Sequence, residues 1–127
     1  MSTPHIAPAN TWAIILGASS GFGAATALEL ARSGYHICGV HLDLKATLPQ
    51  AKAIAAQIEG LGRQAIFINM NAADPVKRAA ALDKLQATMA ASTPPGKVVV
   101  LLHSLAFGTL KPLVAAHPEA TSPASCP

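Results

Sequence analysis

The sequence has few aromatic, charged or cysteine residues, and each shortage excludes a class of protein. Aromatic residues make up 4% of the 127 residues and charged residues 12%, whereas 51% are hydrophobic. This composition excludes a disordered polar tail and leaves Ala, Leu, Ile and Val to form the core. The net charge of +3 is not gathered in a basic cluster, so a nucleic-acid surface has little support.

Cysteines and long apolar runs are equally scarce. Cys38 and Cys126 are too isolated for a disulfide framework, which favours a reducing compartment, and Cys38 falls in an apolar run typical of a buried thiol. No apolar run approaches the roughly 20 residues of a membrane helix, and residues 1–10 lack a signal-peptide pattern. The five histidines lack zinc-ligand spacing. We therefore expect a cytoplasmic, soluble protein without a metal.

Short apolar runs alternate with longer amphipathic segments along the chain. The pattern predicts strands over 12–16, 36–40, 65–68 and 98–102, and helices over 22–33, over 50–60 and from Pro75 to about Ala91. In the third helix, one apolar stripe is predicted from Val76, Ala79, Leu82, Leu85 and Met89. The alternation indicates right-handed crossovers and an α/β, Rossmann-type parallel sheet with helices on both faces.

The periodic pattern ends soon after the fourth predicted strand. Residues 115–127 combine prolines and small residues without periodicity, and a sheet ending at 98–102 has an uncovered apolar edge. We therefore expect a partial domain of this fold over 1–112 and an irregular or disordered tail over 113–127. The pattern leads us to expect a domain truncated after the fourth strand, and a frame shift would have the same effect.

A glycine-rich segment joins the first predicted strand to the first predicted helix. Gly17 allows a sharp turn, Gly21 lets a pyrophosphate approach the backbone, and Gly23 permits close helix packing. Helix N–H groups and the hydroxyls of the two serines attract phosphate oxygens. A turn without a ligand is the alternative, but the strand–loop–helix context favours binding. The residues predicted to contact the ligand are Gly17, Ser19, Ser20, Gly21, Phe22 and Gly23.

The segment from Leu16 to Gly23, Leu-Gly-Ala-Ser-Ser-Gly-Phe-Gly, resembles the cofactor motif of the short-chain dehydrogenases/reductases. The resemblance extends from Trp12 to about Pro112, although Leu16 stands where the family usually has Thr. It implies NAD or NADP as cofactor, so that residues 1–112 would be a partial NAD(P)-binding domain. It also implies hydride transfer with a carbonyl, alcohol or enoyl substrate, a small molecule bound by a full-length relative.

The end of the second strand is where this family reads the adenosine ribose. His41 occupies the aligned position, and Asp43 follows Gly23 by the 20 residues expected of a ribose-binding acid. A carboxylate there favours NAD and a basic residue favours NADP, so His41 leaves the choice open. Asp43 could equally cap or solvate a loop.

Two further segments align with the family's cofactor site. Asn71 and Ala72 follow the third strand, where the resemblance implies a contact to adenine, while Asp74 more simply caps the next helix. His103, Ser104 and Leu105 follow the fourth strand and resemble the enoyl-acyl-carrier-protein reductase branch. The resemblance implies that this backbone passes beside the cofactor riboses.

The family's catalytic Tyr-x-x-x-Lys pair is missing from the sequence. Tyr35 is the single tyrosine, and the residue four positions later is Gly39. We therefore assign no catalytic residue and expect the chain alone to be inactive. The alternative is a non-catalytic nucleotide-binding or interaction module, with the exposed fourth strand available to a partner or to a second copy in a homo-oligomer.

Overall fold

The computed structural model describes residues 6–105, which form a parallel sheet flanked by helices. Its elements are β1 (Thr11–Leu16), α1 (Gly21–Arg32), β2 (His36–His41), α2 (Leu48–Gly60), β3 (Ala65–Asn69), α3 (Pro75–Ala90) and β4 (Lys97–His103). The strands lie in the order β3-β2-β1-β4, and all neighbours are parallel. The predicted Rossmann-type fold is confirmed. The tail predicted over 113–127 lies outside the described residues.

The sheet is covered on both faces, which explains why its central strands are apolar throughout. All six residues of β2 are buried. On one face the core consists of Ala13, Ile15, Ala18, Ala27, Ala31, Ile37 and Ile58, contributed by the sheet, the loop after β1, α1 and α2. On the other face it consists of Trp12, Cys38, Ile66 and Leu85, contributed by the sheet and α3. Helices therefore lie on both faces, as predicted.

The predicted apolar stripe of α3 is wrong over most of its length. Leu85 is the buried residue of this helix, and Met89 packs partly against the same core. Val76 and Leu82 remain exposed, and Ala79 is exposed as well. At 3.6 residues per turn, Val76 lies about half a turn around the helix from Leu85 and so faces away from the sheet. Leu82 lies closer to the Leu85 side, but no described element covers it beyond β4.

The strand order determines where a ligand can bind. From β1 the chain moves outward to β2 and then β3, and it crosses back to place β4 on the other side of β1. At such a reversal, the helices that follow neighbouring strands diverge and leave a crevice at the carboxyl ends of the strands. The crevice of this sheet lies beyond Leu16, where the glycine loop begins.

Candidate functional site

A cleft of about 130 Å³ lies at the carboxyl ends of β1, β2 and β4. Its lining consists of Gly17, Ser19, Ser20, His41, Leu42, Asp43, Ser104 and Leu105. All of these except Leu42 are predicted site residues, and they come from three separate parts of the chain. The parallel sheet brings them together because its carboxyl ends share one edge.

Two glycines of the loop are required by close backbone approaches. Gly17 has a φ of +91°, and a Cβ at this position would collide with the Ser104 carbonyl oxygen. A Cβ at Gly23 would collide with the Gly17 carbonyl oxygen. Gly23 therefore lets α1 begin directly against the loop, and Gly17 lets the loop pass directly under the end of β4. The Ser104 N–H fixes this arrangement by donating to the Leu16 carbonyl at 2.8 Å.

The centre of the loop is open and suited to an anion. Gly21 is exposed, has a φ of +57°, and would have nothing within 4 Å of an added Cβ. Ser20 is the N-cap of α1, but its hydroxyl makes no capping hydrogen bond. The N–H groups of the first helical turn, which have no intrahelical acceptor, are therefore available to a ligand together with the helix dipole.

Not every N–H group of the loop is available. Those of Gly17 and Ala18 donate to the Val40 carbonyl at 2.8 and 3.2 Å. These two bonds anchor the loop to the end of β2. Phosphate recognition would therefore depend on the N–H groups from Ser19 onward.

A connected set of polar groups follows the end of β2. His41 is buried, and its Nδ1 lies 2.9 Å from Asp43 Oδ2. The Thr47 hydroxyl lies 3.1 Å from the other carboxylate oxygen, Asp43 Oδ1, and 3.2 Å from the Leu44 carbonyl oxygen, so its one proton serves two acceptors. Asn69, at the end of β3, accepts from the Asp43 N–H at 2.9 Å and donates to the Asp43 carbonyl at 3.1 Å. The carboxylate and main chain of Asp43 are thus both held in place at the cleft.

The remaining predicted site residues lie outside the cleft lining. The Asn71 side chain accepts from the Ala73 N–H at 2.9 Å in a local turn, and Ala72 lines an apolar cavity on the α3 face. His103 is exposed, and Phe22 is 87% exposed on α1. Gly21 and Gly23 shape the loop without lining the cleft. The proposed cofactor contacts of Asn71, Ala72, His103 and Phe22 stay predictions.

Three residues of the site are missed by sequence reasoning: Leu42, Thr47 and Asn69. Leu42 lines the cleft, and Thr47 and Asn69 hold Asp43. Asn69 pairs with His41 in the sheet register, so its proximity to Asp43 depends on strand pairing. A polar residue ending an apolar strand is the only signal that could have pointed to it.

The cysteine in the core is chemically quiet. Burial raises the pKa of the Cys38 thiol to about 11, and the positive charge of Lys84 opposes this only in part. The predicted buried thiol is confirmed.

Across residues 6–105, no group of three or more His, Cys, Asp or Glu side chains is arranged to hold a metal ion. In the same part of the chain, no helix combines the length and apolarity needed to span a bilayer.

Fold and site together define a Rossmann-type dinucleotide-binding class. The sequence profile of the short chain dehydrogenase family matches residues 11–118. The chain therefore belongs to the short-chain dehydrogenase/reductase family, as the glycine loop suggested. The resemblance to the enoyl-acyl-carrier-protein reductase branch stays a prediction.

Individual relatives match over part of their length. The short-chain dehydrogenase/reductase FrzI of Cladobotryum sp is 37% identical over 62 residues, which are 49% of this chain and 23% of that protein. A short chain dehydrogenase from Burkholderia cenocepacia, solved in complex with NADP, is 35% identical to this chain with a TM-score of 0.56. The alignment covers 62% of this chain and 31% of the Burkholderia cenocepacia chain.

A match that covers more of this chain, at lower sequence identity, shows the fold alone. L-sorbose reductase from Gluconobacter frateurii, solved with NADPH and L-sorbose, is 22% identical with a TM-score of 0.65. The alignment covers 91% of this chain and 40% of the reductase. The chain thus spans well under half the length of each of these relatives.

Proposed function

We propose that this chain is the NAD(P)-binding portion of a short-chain oxidoreductase. The observation that carries the proposal is the cleft formed by the glycine loop, the end of β2 and Ser104 at the reversal of strand order. Membership of the family supports it, as does the NADP complex of the Burkholderia cenocepacia relative. The reaction class that follows is hydride transfer with a carbonyl, alcohol or enoyl substrate.

The described residues fit a dinucleotide through complementary contacts. The N–H groups at the start of α1 receive no side-chain cap from Ser20 and can donate to a diphosphate in the open space beside Gly21. Ser19 and Ser20 add hydroxyls at the cleft, and the Asp43 carboxylate adds an acceptor for ribose hydroxyls. When bound, the nicotinamide supplies the hydride. The protein residues bind and orient it.

Catalysis by this chain alone is not expected, because the family's proton-donating pair is missing. The sequence contains no Tyr-x-x-x-Lys. Tyr35 immediately precedes β2, whereas the cleft lies beyond His41 at the other end of that strand. The single tyrosine therefore cannot reach a nicotinamide held at the cleft. We propose that the chain binds cofactor without turning over substrate.

Cofactor binding can be tested with two matched glycine variants. Gly21→Asp places a negative side chain in the open space of the loop, where a diphosphate would lie, and Asp tolerates the left-handed backbone of Gly21. Gly62→Asp makes the same change at an exposed glycine with a φ of +81° and open surroundings, after α2. Titration with NADH and NADPH, followed by thermal shift and fluorescence, measures binding.

We expect saturable stabilisation of the wild type and of Gly62→Asp, and a loss of affinity of about tenfold or more in Gly21→Asp, the scale of a lost charge-assisted hydrogen bond. Equal affinities of the two variants would contradict a phosphate site at this loop. Addition of carbonyl or enoyl substrates, with the nicotinamide absorbance recorded, tests inactivity. Turnover by the purified chain would refute that part of the proposal.

The second candidate function is a non-catalytic binding module. The observation favouring it is the outer edge of β4, which has no neighbouring strand among residues 6–105 and beside which Val99 and Leu101 are exposed. Such an edge can accept a strand from a partner or a second copy. Cofactor binding together with specific strand-mediated association would favour this function.

A further inference from the structure

A second cavity, the α3 cavity, lies between the sheet and α3 and has a volume of about 240 Å³. We infer that it binds a small amphipathic carboxylate, whose aliphatic chain enters the cavity and whose carboxylate pairs with Arg78. This inference does not depend on the proposed cofactor binding, because the α3 cavity and the cofactor cleft have no lining residue in common.

The α3 cavity has a buried floor and an exposed apolar rim. The buried residues that line it are Cys38, Val40, Met70 and Leu85. At the rim, Leu82 is 52% exposed and Leu101 is 69% exposed. The Cys38 thiol is uncharged at neutral pH, because burial raises its pKa to about 11. An aliphatic chain that enters from the rim would therefore leave water for apolar side chains and a neutral thiol.

The volume of the α3 cavity suits a small molecule. An apolar cavity of about 150 Å³ holds one benzene molecule, so about 240 Å³ has room for a chain of roughly nine carbons. A second copy of the chain could fill this space only with isolated side chains. The volume therefore favours a small ligand as the occupant.

Arg78 determines the chemistry of the ligand's polar end. It is the one charged residue among the described residues that line the α3 cavity. Its Nη1 donates to the Ala72 carbonyl at 3.0 Å, and Ala72 also belongs to the lining. This bond holds the guanidinium at the cavity, and the guanidinium keeps further N–H donors for a ligand. A carboxylate matches them in charge and geometry.

The protein's own carboxylates do not neutralise Arg78. Neither ion pair found within residues 6–105 includes Arg78, and no Asp or Glu is among the described lining residues. Asp74 precedes Arg78 by one helical turn, but its Oδ1 accepts from the N–H groups of Val76 and Lys77. The positive charge at the cavity is therefore available to an anionic ligand.

Binding can be measured on the full chain with sodium octanoate as the probe. Isothermal titration calorimetry gives the dissociation constant, and the fluorescence of Trp12, the single tryptophan, reports the location. Trp12 packs in one core cluster with Cys38 and Leu85, which both line the α3 cavity. We expect saturable binding accompanied by a saturable change in Trp12 emission.

The role of Arg78 is tested by removal of its charge. Arg78→Met should weaken octanoate binding about tenfold or more, the scale of a hydrogen bond to a charged group. Lys77→Met is the matched control, because Lys77 is the adjacent cation on α3 but lines a different groove, beside β3. It should bind octanoate as the wild type does. The neutral probe 1-octanol should bind equally to the wild type and to Arg78→Met.

The role of the cavity is tested by reduction of its volume. Ala81 is part of the lining, so Ala81→Leu should fill space that the aliphatic chain needs and weaken binding of both octanoate and 1-octanol. Ala80→Leu makes the same change one residue earlier, at an exposed position outside the lining, and should leave both affinities unchanged. Circular dichroism and thermal melting check that each variant is folded.

The outcomes separate this inference from the proposed cofactor function. Absence of octanoate binding by the folded wild type overturns the inference, and a dimer seen by light scattering would then assign the cavity to a second copy. Equal losses in Arg78→Met and Lys77→Met, or wild-type binding by Ala81→Leu, overturn it as well. Displacement of octanoate by NADH would make the cavity part of the cofactor site. Gly21→Asp should lose dinucleotide binding but retain octanoate binding.

Discussion

His36 and His41 lie at opposite ends of β2, and their side chains have different hydrogen-bond partners. His41 meets a carboxylate at the cleft, whereas His36 Nδ1 accepts a hydrogen bond from the Gln64 N–H at 2.9 Å. The His36 ring also packs against Trp12, with centroids 5.1 Å apart. Because Nδ1 is an acceptor here, the ring of His36 is neutral in the folded chain.

This environment predicts acid sensitivity of the fold. Burial, and to a smaller extent the charge of Arg63, lower the pKa of His36 from 6.5. As the pH falls below about 6.5, the unfolded chain takes up a proton that the folded chain does not, so the free energy of unfolding decreases. Denaturant titrations between neutral and acidic pH measure this change.

The His36→Gln variant is the control for this effect, since its side-chain oxygen can accept from the Gln64 N–H but does not titrate. Its unfolding free energy should depend less on pH over the same interval. An identical pH dependence in wild type and variant would assign the acid sensitivity to other groups.

At the scale of elements, α3 shows a helix start that the sequence determines locally. Asp74 precedes Pro75, and Asp74 Oδ1 accepts from the N–H groups of Val76 at 3.0 Å and Lys77 at 3.2 Å. The predicted cap is thus confirmed. The other two helices differ, because neither Ser20 nor Thr47 makes a side-chain capping bond. Ser20 instead leaves the start of α1 open at the cleft.

Removal of the cap should destabilise the domain without affecting the cleft. Asp74→Ala leaves two N–H groups at the helix start without their acceptor and should reduce the unfolding free energy by about 1 kcal/mol. Asp74→Asn retains the oxygen and should be close to wild type. Thermal and denaturant unfolding measure both. A wild-type stability of Asp74→Ala would show that the cap contributes nothing to the fold.

At the scale of the whole molecule, the two edges of the sheet and its two faces are unequal. The α1 and α2 face has a continuous core, whereas beside β4 the α3 face has exposed apolar residues. Leu101 is 69% exposed, and it lines an apolar cavity of about 240 Å³ with Leu82 and Leu85. Exposed apolar edges of this kind promote association between chains.

We therefore expect the isolated chain to self-associate, and Leu101→Lys to shift it toward the monomer. Size-exclusion chromatography with light scattering measures the change. Val76→Lys adds the same charge at an exposed apolar position on α3, away from β4, and should have a smaller effect. Equal effects of both substitutions would indicate a general solubility gain rather than an edge contact.

The sequence by itself determined the succession of strands and helices along the chain, the glycine loop and the Asp74 cap. These features depend on local periodicity, on backbone freedom and on hydrogen bonds between close neighbours. The same local signals were insufficient for α3, where Val76 lies about half a turn from the buried Leu85 and Leu82 has no described element to cover it. For Asp43, the local signals did not decide between capping or solvating a loop and binding the ribose of a cofactor.

Only the tertiary structure decided the surroundings of Asp43 and the shape of the cleft. Strand pairing sets His41 beside Asn69, and so places the Asn69 side chain against the Asp43 backbone, although 26 residues separate them. Pairing of β1 with β4 likewise brings Ser104 against Gly17. Such contacts depend on the register of distant strands, which no short stretch of sequence specifies.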